Sequence, residues 1–570
     1  MVVSTVLFIF AVQRYDEVSK YPKKISLFQR KKTYLCIRNS DSNHSFIFNM
    51  KRSIIFLASM LLLAGQATAG GKRTPAFPGA EGFGKYATGG RAIDDRGANV
   101  YYVTRLDDCK DSELVEGTLR WALRTGDDTP RTILFKVGGT IYLQSTLSMA
   151  HPNVSILGQS APGGGICIAG YTMKICKPNV IIRYIRFRAG DLPNKSMTSL
   201  DVENTRNVIL DHCSMTWSME ENLTLYDTDS TTVQWCIIAE GLYRSKNAKG
   251  ARCYATQWGG EHGTMHHCLI SNVNNRTPRF NGMRKTSKHR GDHDQFVDNE
   301  FINNVIFNWG KPNSIYGGEC YKDCNDGNSY NRVYMINNYF RPGPNTQAHV
   351  TDQRYFAWAS STKGRGLGQW LLKGNIFELS SYYAPKTAVW SDEILKKVNK
   401  DNLYGFAENS VERCFDTEDG ASETIYNNHV IRKQKVKSDV KTYDAREAYR
   451  QVYQKAGASL PRYDEVDLRL LDEAAGIIAP QFYGKKEDGS MERALGIINS
   501  QNDVILRKED PNMKGWPDLN GISTFVDSDS DGLPDDYEIN NGLNPKDKND
   551  GWQITKSGFS NLEIYLNAIH

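Results

Sequence analysis

The chain has 570 residues, 40% of them hydrophobic, and a formal net charge of +5, and this length exceeds what one ordinary domain needs. Residues 1–69 hold 10 of the 70 Lys and Arg and only 3 of the 65 Asp and Glu, so the remainder carries 60 basic against 62 acidic side chains. This balance excludes a global electrostatic argument for nucleic acid binding.

Residues 50–69 have the pattern of a signal peptide. A basic start at Lys51 and Arg52 precedes an apolar run at 53–65, which is short for a bilayer span, and Ala67-Thr68-Ala69 is a small-x-small cleavage site. We therefore expect export, with the mature protein secreted, periplasmic or at the cell surface and without a membrane span. Residues 1–49 are then interpreted as a mis-called upstream segment.

Ten cysteines follow the leader, too few for a disulfide-dense scaffold in a chain of this length. Cys213, Cys236 and Cys268 lie in apolar segments, which predicts buried thiols. Cys320 and Cys324 flank a loop-like segment and could pair in an oxidising compartment.

After a Gly-rich start at 76–84, short apolar segments recur between polar loops of variable length. The matching positions Val180, Val208, Val233 and Met265 are 28, 25 and 32 residues apart. β-rich segments at such periods, without amphipathic helices between them, indicate a solenoid with one coil per period. We therefore predict an all-β fold, a parallel β-helix.

A repeated asparagine supports the solenoid. Asn304, Asn338 and Asn375 each precede bulky apolar residues, and identical amides in stacked coils can bond to one another in a ladder. The alternative is that each is an ordinary turn residue.

The pattern changes after about residue 385. Asp444 begins a capping box, and apolar residues then follow helical spacing to Gly457, with a second helix predicted after Pro461. The predicted organisation is a β-helix domain at 70–385, an extension at 386–510 whose helices pack on the solenoid, and a tail at 511–570.

The tail contains an acidic loop with calcium-ligand spacing. Oxygen ligands occupy positions 1, 3, 5, 9 and 12 with a glycine at position 6, which predicts a calcium site made by Asp527, Asp529, Asp531, Asp535 and Glu538. No helix of EF-hand length precedes the loop, so it resembles a thrombospondin type 3 or dockerin-like loop, and its expected role is structural.

The residues at 200–282 bring together acids, a lysine and arginines on strand-like segments, which predicts a site for an acidic substrate. Eight segments resemble, in order, the pectate lyase family: FPGAEGFG, GTLRWAL, GGTIYL, GQSAPGGG, NVIIRYIRFR, NVILDHCSMTWS, AKGARCYATQWGG and NRTPRF. This resemblance implies a right-handed parallel β-helix that binds Ca²⁺ and cleaves polygalacturonan or pectin by β-elimination.

The resemblance also assigns roles to individual residues. Arg276, at the start of Arg276-Thr277-Pro278-Arg279, matches the catalytic arginine, and Lys249 and Arg279 match substrate-binding positions. Asn281 stands where the family often has a further arginine.

The family's calcium carboxylates are matched less closely. The nearest acids are Asp201, Glu220 and Glu221, whereas the family spacing falls on Thr198 and Thr224.

These residue types suit elimination from a uronate. The proton on C5 lies next to a carboxylate, and a cation on that carboxylate stabilises the charge that develops. Arginine normally stays protonated, but nearby cations such as Lys249 and Arg279 disfavour its charged form. The resemblance, together with these residue types, implies a pectate lyase that acts on an acidic polysaccharide. We also expect the protein to be a monomer.

Two alternatives stay open at this point. A glycoside hydrolase needs two carboxylic acids flanking the bond, but the adjacent Glu220 and Glu221 would point to opposite faces of a strand. A non-catalytic glycan-binding solenoid would show aromatic stripes and would not need the Arg-x-Pro-Arg segment. A product that absorbs in the ultraviolet distinguishes the lyase from both.

Overall fold

The computed structural model describes residues 73–569 except 93–96, 194, 284–295, 311–313, 320–328, 349–355, 361–367, 380–390, 409–411, 414–426, 481–482, 486–490, 494–495 and 508–509. The signal-peptide region and the Cys320–Cys324 pair lie outside the described residues. Within the described part of the chain, no helix is both long enough and apolar enough to span a membrane.

From Arg131–Phe135 onward, each coil contributes one strand to each of three parallel sheets, which we call the first, second and third faces. The prediction of a parallel β-helix is therefore confirmed. The first face contains Asn99–Val103, Arg131–Phe135, Val154–Leu157, Val180–Arg183, Arg206–Asp211, the second half of Glu221–Gln234, His262–His266, Phe296–Ile302, Tyr330–Ile336 and Gly368–Lys373.

The other two faces repeat this arrangement. The second face contains Val137–Tyr142, Ile166–Ala169, Ile185–Arg188, Ser214–Thr216, Ile237–Ala239, Leu269–Ser271, Val305–Phe307, Tyr339–Arg341 and Ile376–Phe377. The third face contains Leu147–Ser148, Met173–Ile175, Leu200–Glu203, the first half of Glu221–Gln234, Tyr254–Gly260, Arg279–Asn281, Ile315–Glu319, Ala357–Ala359 and Phe406–Glu408.

The register corrects one predicted equivalence between coils. Val180 lies beside Val208 as expected, but Val208 pairs with Thr231, and Val233 pairs with Leu210 and Met265. The prediction was displaced by two residues in one coil. Such a shift keeps every side chain on its own side of the strand, so the apolar pattern alone could not reveal it.

One column of side chains inside the solenoid combines the predicted buried thiols with the predicted asparagine ladder. The Cys213 and Cys236 amides donate to the sulfurs of Cys236 and Cys268, and the Cys268 amide donates to Asn304 Oδ1 over 3.0 Å. The side-chain amides of Asn304, Asn338 and Asn375 then each donate to the side-chain oxygen of the next asparagine at 3.1, 2.8 and 3.1 Å, and the last acceptor is Asn402. Both predictions are confirmed, and the ladder is one coil longer than expected.

The corners of the coil differ in length. From Val180–Arg183 onward, one or two residues separate the first face from the second in every described coil. The corner between the second and third faces ranges from 170–172 to 378–405, and the longest one contains the helix Asp392–Lys400. The two corners that flank the third face therefore vary in length far more than the corner between the first and second faces.

Two helices of the extension lie on the second face, at the positions that the sequence predicted. They are Ala445–Lys455, whose N-cap Asp444 accepts two backbone amides, and Glu465–Ala475. Buried Arg188 donates to Asp464 at 2.6 Å and to Asp467 at 2.8 Å. This fixes the second helix to the solenoid through fully buried charges.

The predicted domain boundary at 385 was too early. The strand Phe406–Glu408 pairs with Ala357–Ala359, so the third face extends beyond it, with the helix Asp392–Lys400 between. The remaining described elements are the helices Leu119–Arg124, Pro344–Ala348, Asp535–Asn541 and Asn561–Asn567, the 3₁₀ helices Gly158–Ser160, Asn402–Gly405 and Gln501–Asp503, and the strands Glu412–Arg413, Tyr483–Lys485, Met491–Arg493, Ile505–Arg507, Asp510–Lys514 and Gly521–Ile522.

The tail packs against the outer side of the first face. Leu533, Leu562 and Leu566 join one apolar cluster with Ile181 and Ile209 of the solenoid. The tail is therefore part of the folded body, although its sequence pattern is that of a separate module.

Candidate active site

A row of half-buried side chains points outward along the third face. Strand register places Lys174, Asp201, Thr224, Gln257, Arg279, Tyr316 and Trp358 side by side on successive coils. Their strand neighbours, such as Leu200 and Val202, are buried in the core because side chains alternate along a strand. With strands about 4.8 Å apart, the row forms a long strip that suits an extended polymer.

Arg276 lies beside this row, in the corner before Arg279. Its Nη1 donates to Gln257 Oε1 over 2.6 Å and also contacts the carboxylate of Glu221. Its guanidinium lies 4.4 Å from the centre of the Tyr254 ring. Burial lowers the pKa of Arg276, and the charge of Arg279 acts in the same direction.

Lys249 lies in the corner 240–253 and ends near Glu220. Its Nζ is 3.3 Å from Glu220 Oε1, and Arg252 Nε lies 3.5 Å from the same oxygen. The other oxygen of Glu220 accepts from Asn247 over 2.6 Å. The Lys249 side chain is 67% exposed, so its ammonium can also reach a ligand outside the protein.

The ionisation of Glu220 follows from these contacts. Burial opposes its charge, but the hydrogen bond from Asn247 and the charges of Lys249 and Arg252 outweigh burial and lower the pKa of Glu220. Glu220 is thus held as an anion within a basic surrounding.

Arg279 continues the basic side of the row toward two aromatic rings. Its Nη2 lies 3.2 Å from Glu319 Oε1, and its guanidinium stands 5.3 Å from the ring centre of Tyr316. Tyr316 and Trp358 stack at 5.0 Å with planes 5° apart. One part of the strip therefore offers cations and the next offers aromatic rings.

The predicted calcium carboxylates do not gather into one cation site. Asp201 Oδ2 faces Lys174 Nζ at 3.6 Å, and Glu220 and Glu221 face the basic partners described above. Asp201, Glu220 and Glu221 do not bring three ligand oxygens within 4.8 Å of one another. This arrangement does not fit a shared calcium, because each acid already has a positively charged partner.

The tail loop fits a cation well. Asp527, Asp529 and Asp531 bring ligand oxygens within 4.8 Å of one another, and Asp531 does so with Glu538 and Asp550. Buried oxygens without a hydrogen-bond partner belong to Asp529, Asp531, Glu538 and Asp550. Unpaired carboxylate oxygens crowded together are the surrounding that Ca²⁺ prefers.

The raised pKa values of two tail acids also indicate a site for a cation. Burial and the neighbouring carboxylates raise the pKa of Asp531 to about 7 and that of Glu538 to about 8.

The predicted ligand Asp535 lies outside this group of acids, because its carboxylate accepts hydrogen bonds from the amide and the hydroxyl of Ser528 at 2.8 and 2.7 Å. Asp550 takes part instead, and its position beyond the loop motif hid it from sequence reasoning.

Sequence reasoning also missed the residues that hold the candidate base. Tyr254 and Gln257 precede Arg276 by one coil, and Tyr254 bridges to Asn275 in parallel register. Aligning the segment 254–257 correctly with the segment 275–279 would have predicted Tyr254 and Gln257 as partners of Arg276, since residues in register on adjacent strands lie close together.

The fold and the site together define a parallel β-helix whose third face carries an outward row of charged, polar and aromatic side chains, with Arg276 and Lys249 in the adjoining corners. No family model matches the chain. Curated relatives named probable pectate lyase C, from Neosartorya fischeri and from Aspergillus fumigatus, are each 29% identical over 91% of this chain and 99% of theirs. The chain is thus a homologue of pectate lyases, and the resemblance seen in its motifs is confirmed.

Among solved structures, a pectate lyase from Bacillus sp. N165 in complex with trigalacturonate aligns with 66% of this chain and 98% of that chain. It is 15% identical, with a TM-score of 0.39.

Proposed function

We propose that this protein is a polysaccharide lyase that acts outside the cytoplasm and cleaves polygalacturonate by β-elimination. The observation that carries the proposal is the half-buried guanidinium of Arg276, which lies beside the third face in the corner before Arg279. The curated relatives, which are named probable pectate lyase C and are similar over 91% of this chain, support the same reaction.

Arg276 is assigned as the base. The C5–H bond of a uronate breaks and its proton bonds to a nitrogen of Arg276. The electron pair then forms a C4–C5 double bond, and the glycosidic C4–O bond breaks. The leaving oxygen takes a proton from water. The base must be a neutral guanidine. Burial and the Arg279 charge favour that form, whereas Tyr316 and the carboxylates of Glu220 and Glu221 oppose it.

Lys249 and Arg279 are assigned to substrate carboxylates. Lys249 offers an exposed ammonium, and Arg279 offers a planar fork that matches a carboxylate. When Lys249 and Arg279 bind the carboxylate of a uronate, that carboxylate can delocalise the negative charge that develops on C5.

Calcium is assigned to the tail, where Asp527, Asp529, Asp531, Glu538 and Asp550 would hold it. There it supplies the countercharge that a group of crowded carboxylates needs. Asp201, Glu220 and Glu221 would not hold a catalytic calcium, because each is engaged by a basic side chain.

The test uses the exported protein and polygalacturonate. Elimination gives an unsaturated product that absorbs in the ultraviolet, together with new reducing ends in equal amount. Hydrolysis gives reducing ends without that absorbance, and a non-catalytic glycan-binding protein gives neither. Reducing ends without absorbance would overturn the proposal in favour of a hydrolase.

A further inference from the structure

Glu221 faces the proposed base rather than another acid. It begins the strand Glu221–Gln234, where it pairs with Tyr254, and the residue is buried, with 6% of its surface exposed. It contacts Nη1 of Arg276, and the same nitrogen donates to Gln257 Oε1 over 2.6 Å. Two acceptors from neighbouring coils thus converge on one nitrogen of the guanidinium.

The guanidinium is also held by a ring. Tyr254 lies 4.4 Å from the Arg276 guanidinium, and Arg252 lies 5.4 Å from the same ring centre and donates to the Tyr254 hydroxyl over 3.2 Å. Ring contact restricts the tilt of the guanidinium, and the two acceptors on Nη1 restrict its rotation. The position of Nη2, the other terminal nitrogen, is therefore set by groups that all belong to this chain.

We propose that Glu221 is a positioning residue that holds Arg276 in its reactive orientation, and that it is not a calcium ligand. The inference rests on the proposed role of Arg276 as the base. A base must lie within a narrow range of distance and angle of the proton that it removes, and an arginine side chain that is free to rotate rarely satisfies both. An anionic acceptor beneath Nη1 fulfils this requirement, and a calcium ion would have to displace Arg276 to use the same oxygen.

The two roles of Glu221 predict opposite behaviour with calcium. If Glu221 positions Arg276, Glu221→Ala lowers kcat by about 10²-fold with little change in KM, and added calcium does not restore kcat. Glu221→Gln recovers most of the lost kcat, because its amide oxygen still accepts from Nη1. If Glu221 is a ligand, both variants raise the half-saturating calcium concentration, and high calcium restores kcat.

Glu220→Gln is the matched control, because Glu220 is adjacent in sequence but faces Lys249 and Arg252. It is expected to change KM more than kcat. Circular dichroism and the thermal midpoint show whether each variant is folded. If Glu221→Ala does not fold, Glu221→Asp replaces it, since the shorter carboxylate keeps its charge but loses its reach to Nη1.

The outcomes separate this inference from the proposed function. A wild-type protein without unsaturated product overturns the function itself. An active wild type with full activity in Arg276→Lys overturns the base assignment. If Arg276→Lys is inactive while Glu221→Ala keeps wild-type kcat, or regains it at high calcium, only the positioning role of Glu221 is overturned.

Discussion

The hydroxyl of Tyr102, on the first strand of the solenoid, donates to the carboxylate of Asp527, 425 residues later at the start of the acidic tail loop. Asp527 also accepts the amide of Gly532 at 3.0 Å within that loop. The first strand of the solenoid is thus hydrogen-bonded to the tail through Asp527, one of the residues that we assign to calcium. A change in the loop is therefore expected to affect the stability of the solenoid and not only that of the tail.

Asp531→Asn tests this coupling. Asp531 belongs to both carboxylate groups of the tail, so the variant should lose calcium-dependent stabilisation, which amounts to about 2.7 kcal/mol at one hundred times the dissociation constant. Calorimetry with added calcium and with chelator measures the difference. Asp536→Asn, an exposed acid outside both groups, should keep the wild-type response. Equal calcium stabilisation in wild type and Asp531→Asn would contradict the tail assignment.

Arg276→Lys tests the base. Lysine keeps a positive charge but loses the planar fork held by Gln257 and Glu221, so charge alone should not restore turnover. The expected loss of kcat is about 10²–10⁴-fold, measured as the initial rate of unsaturated product. A kcat close to wild type would mean that Arg276 only binds the substrate.

Lys249→Ala tests substrate anchoring. Lys249 is expected to hold a substrate carboxylate in both the ground and transition states, so its loss should raise KM strongly and lower kcat less. Rates over a range of polygalacturonate concentrations separate the two constants. Lys246→Ala, in the same corner, is the control, since its Nζ bonds to the Asp191 carbonyl rather than to Glu220. An unchanged KM in Lys249→Ala would remove Lys249 from the site.

Asp464→Asn tests the buried charges under the extension. Burial opposes the charge of Asp464, but Arg188 and Arg186 outweigh burial and hold the pKa of this carboxyl well below its usual range. A lowered pKa means that the stability from this group is present above about pH 4 and is lost as the pH falls below it. The variant should lose about 3–5 kcal/mol at pH 7 and show a weaker acid dependence in urea unfolding.

Asp439→Asn is the control for this experiment. Asp439 pairs with Lys85 at the surface, where an ion pair contributes about 0–1 kcal/mol. If Asp464→Asn were no less stable than Asp439→Asn, the buried charges would not hold the helix Glu465–Ala475 in place.

Much of the fold could be predicted because its signals are local. Alternating apolar residues set the strands, and the recurring Asn304, Asn338 and Asn375 marked equal positions in successive coils. The pairing of Val208 with Thr231 could not be predicted, since a shift by two residues preserves the alternation.

The candidate site followed a similar division. Motif resemblance identified Arg276, Lys249 and Arg279, which lie on or beside one face. The charged partners of Asp201, Glu220 and Glu221 depend on neighbouring coils, whose loops vary in length, and Asp550 depends on how the tail folds back. Contacts of this kind require the three-dimensional register.

The uneven corners of the coil have a consequence for how such proteins diversify. Glu220, Lys249 and Arg276 all come from corners that lead into the third face, where insertions leave the strand ladder undisturbed. The short corner between the first and second faces keeps the coils aligned while the loops that lead into the third face change in length. Substrate specificity can therefore change one coil at a time, and the spacing of the coils sets where along the bound polymer each change acts. The strands themselves need not change.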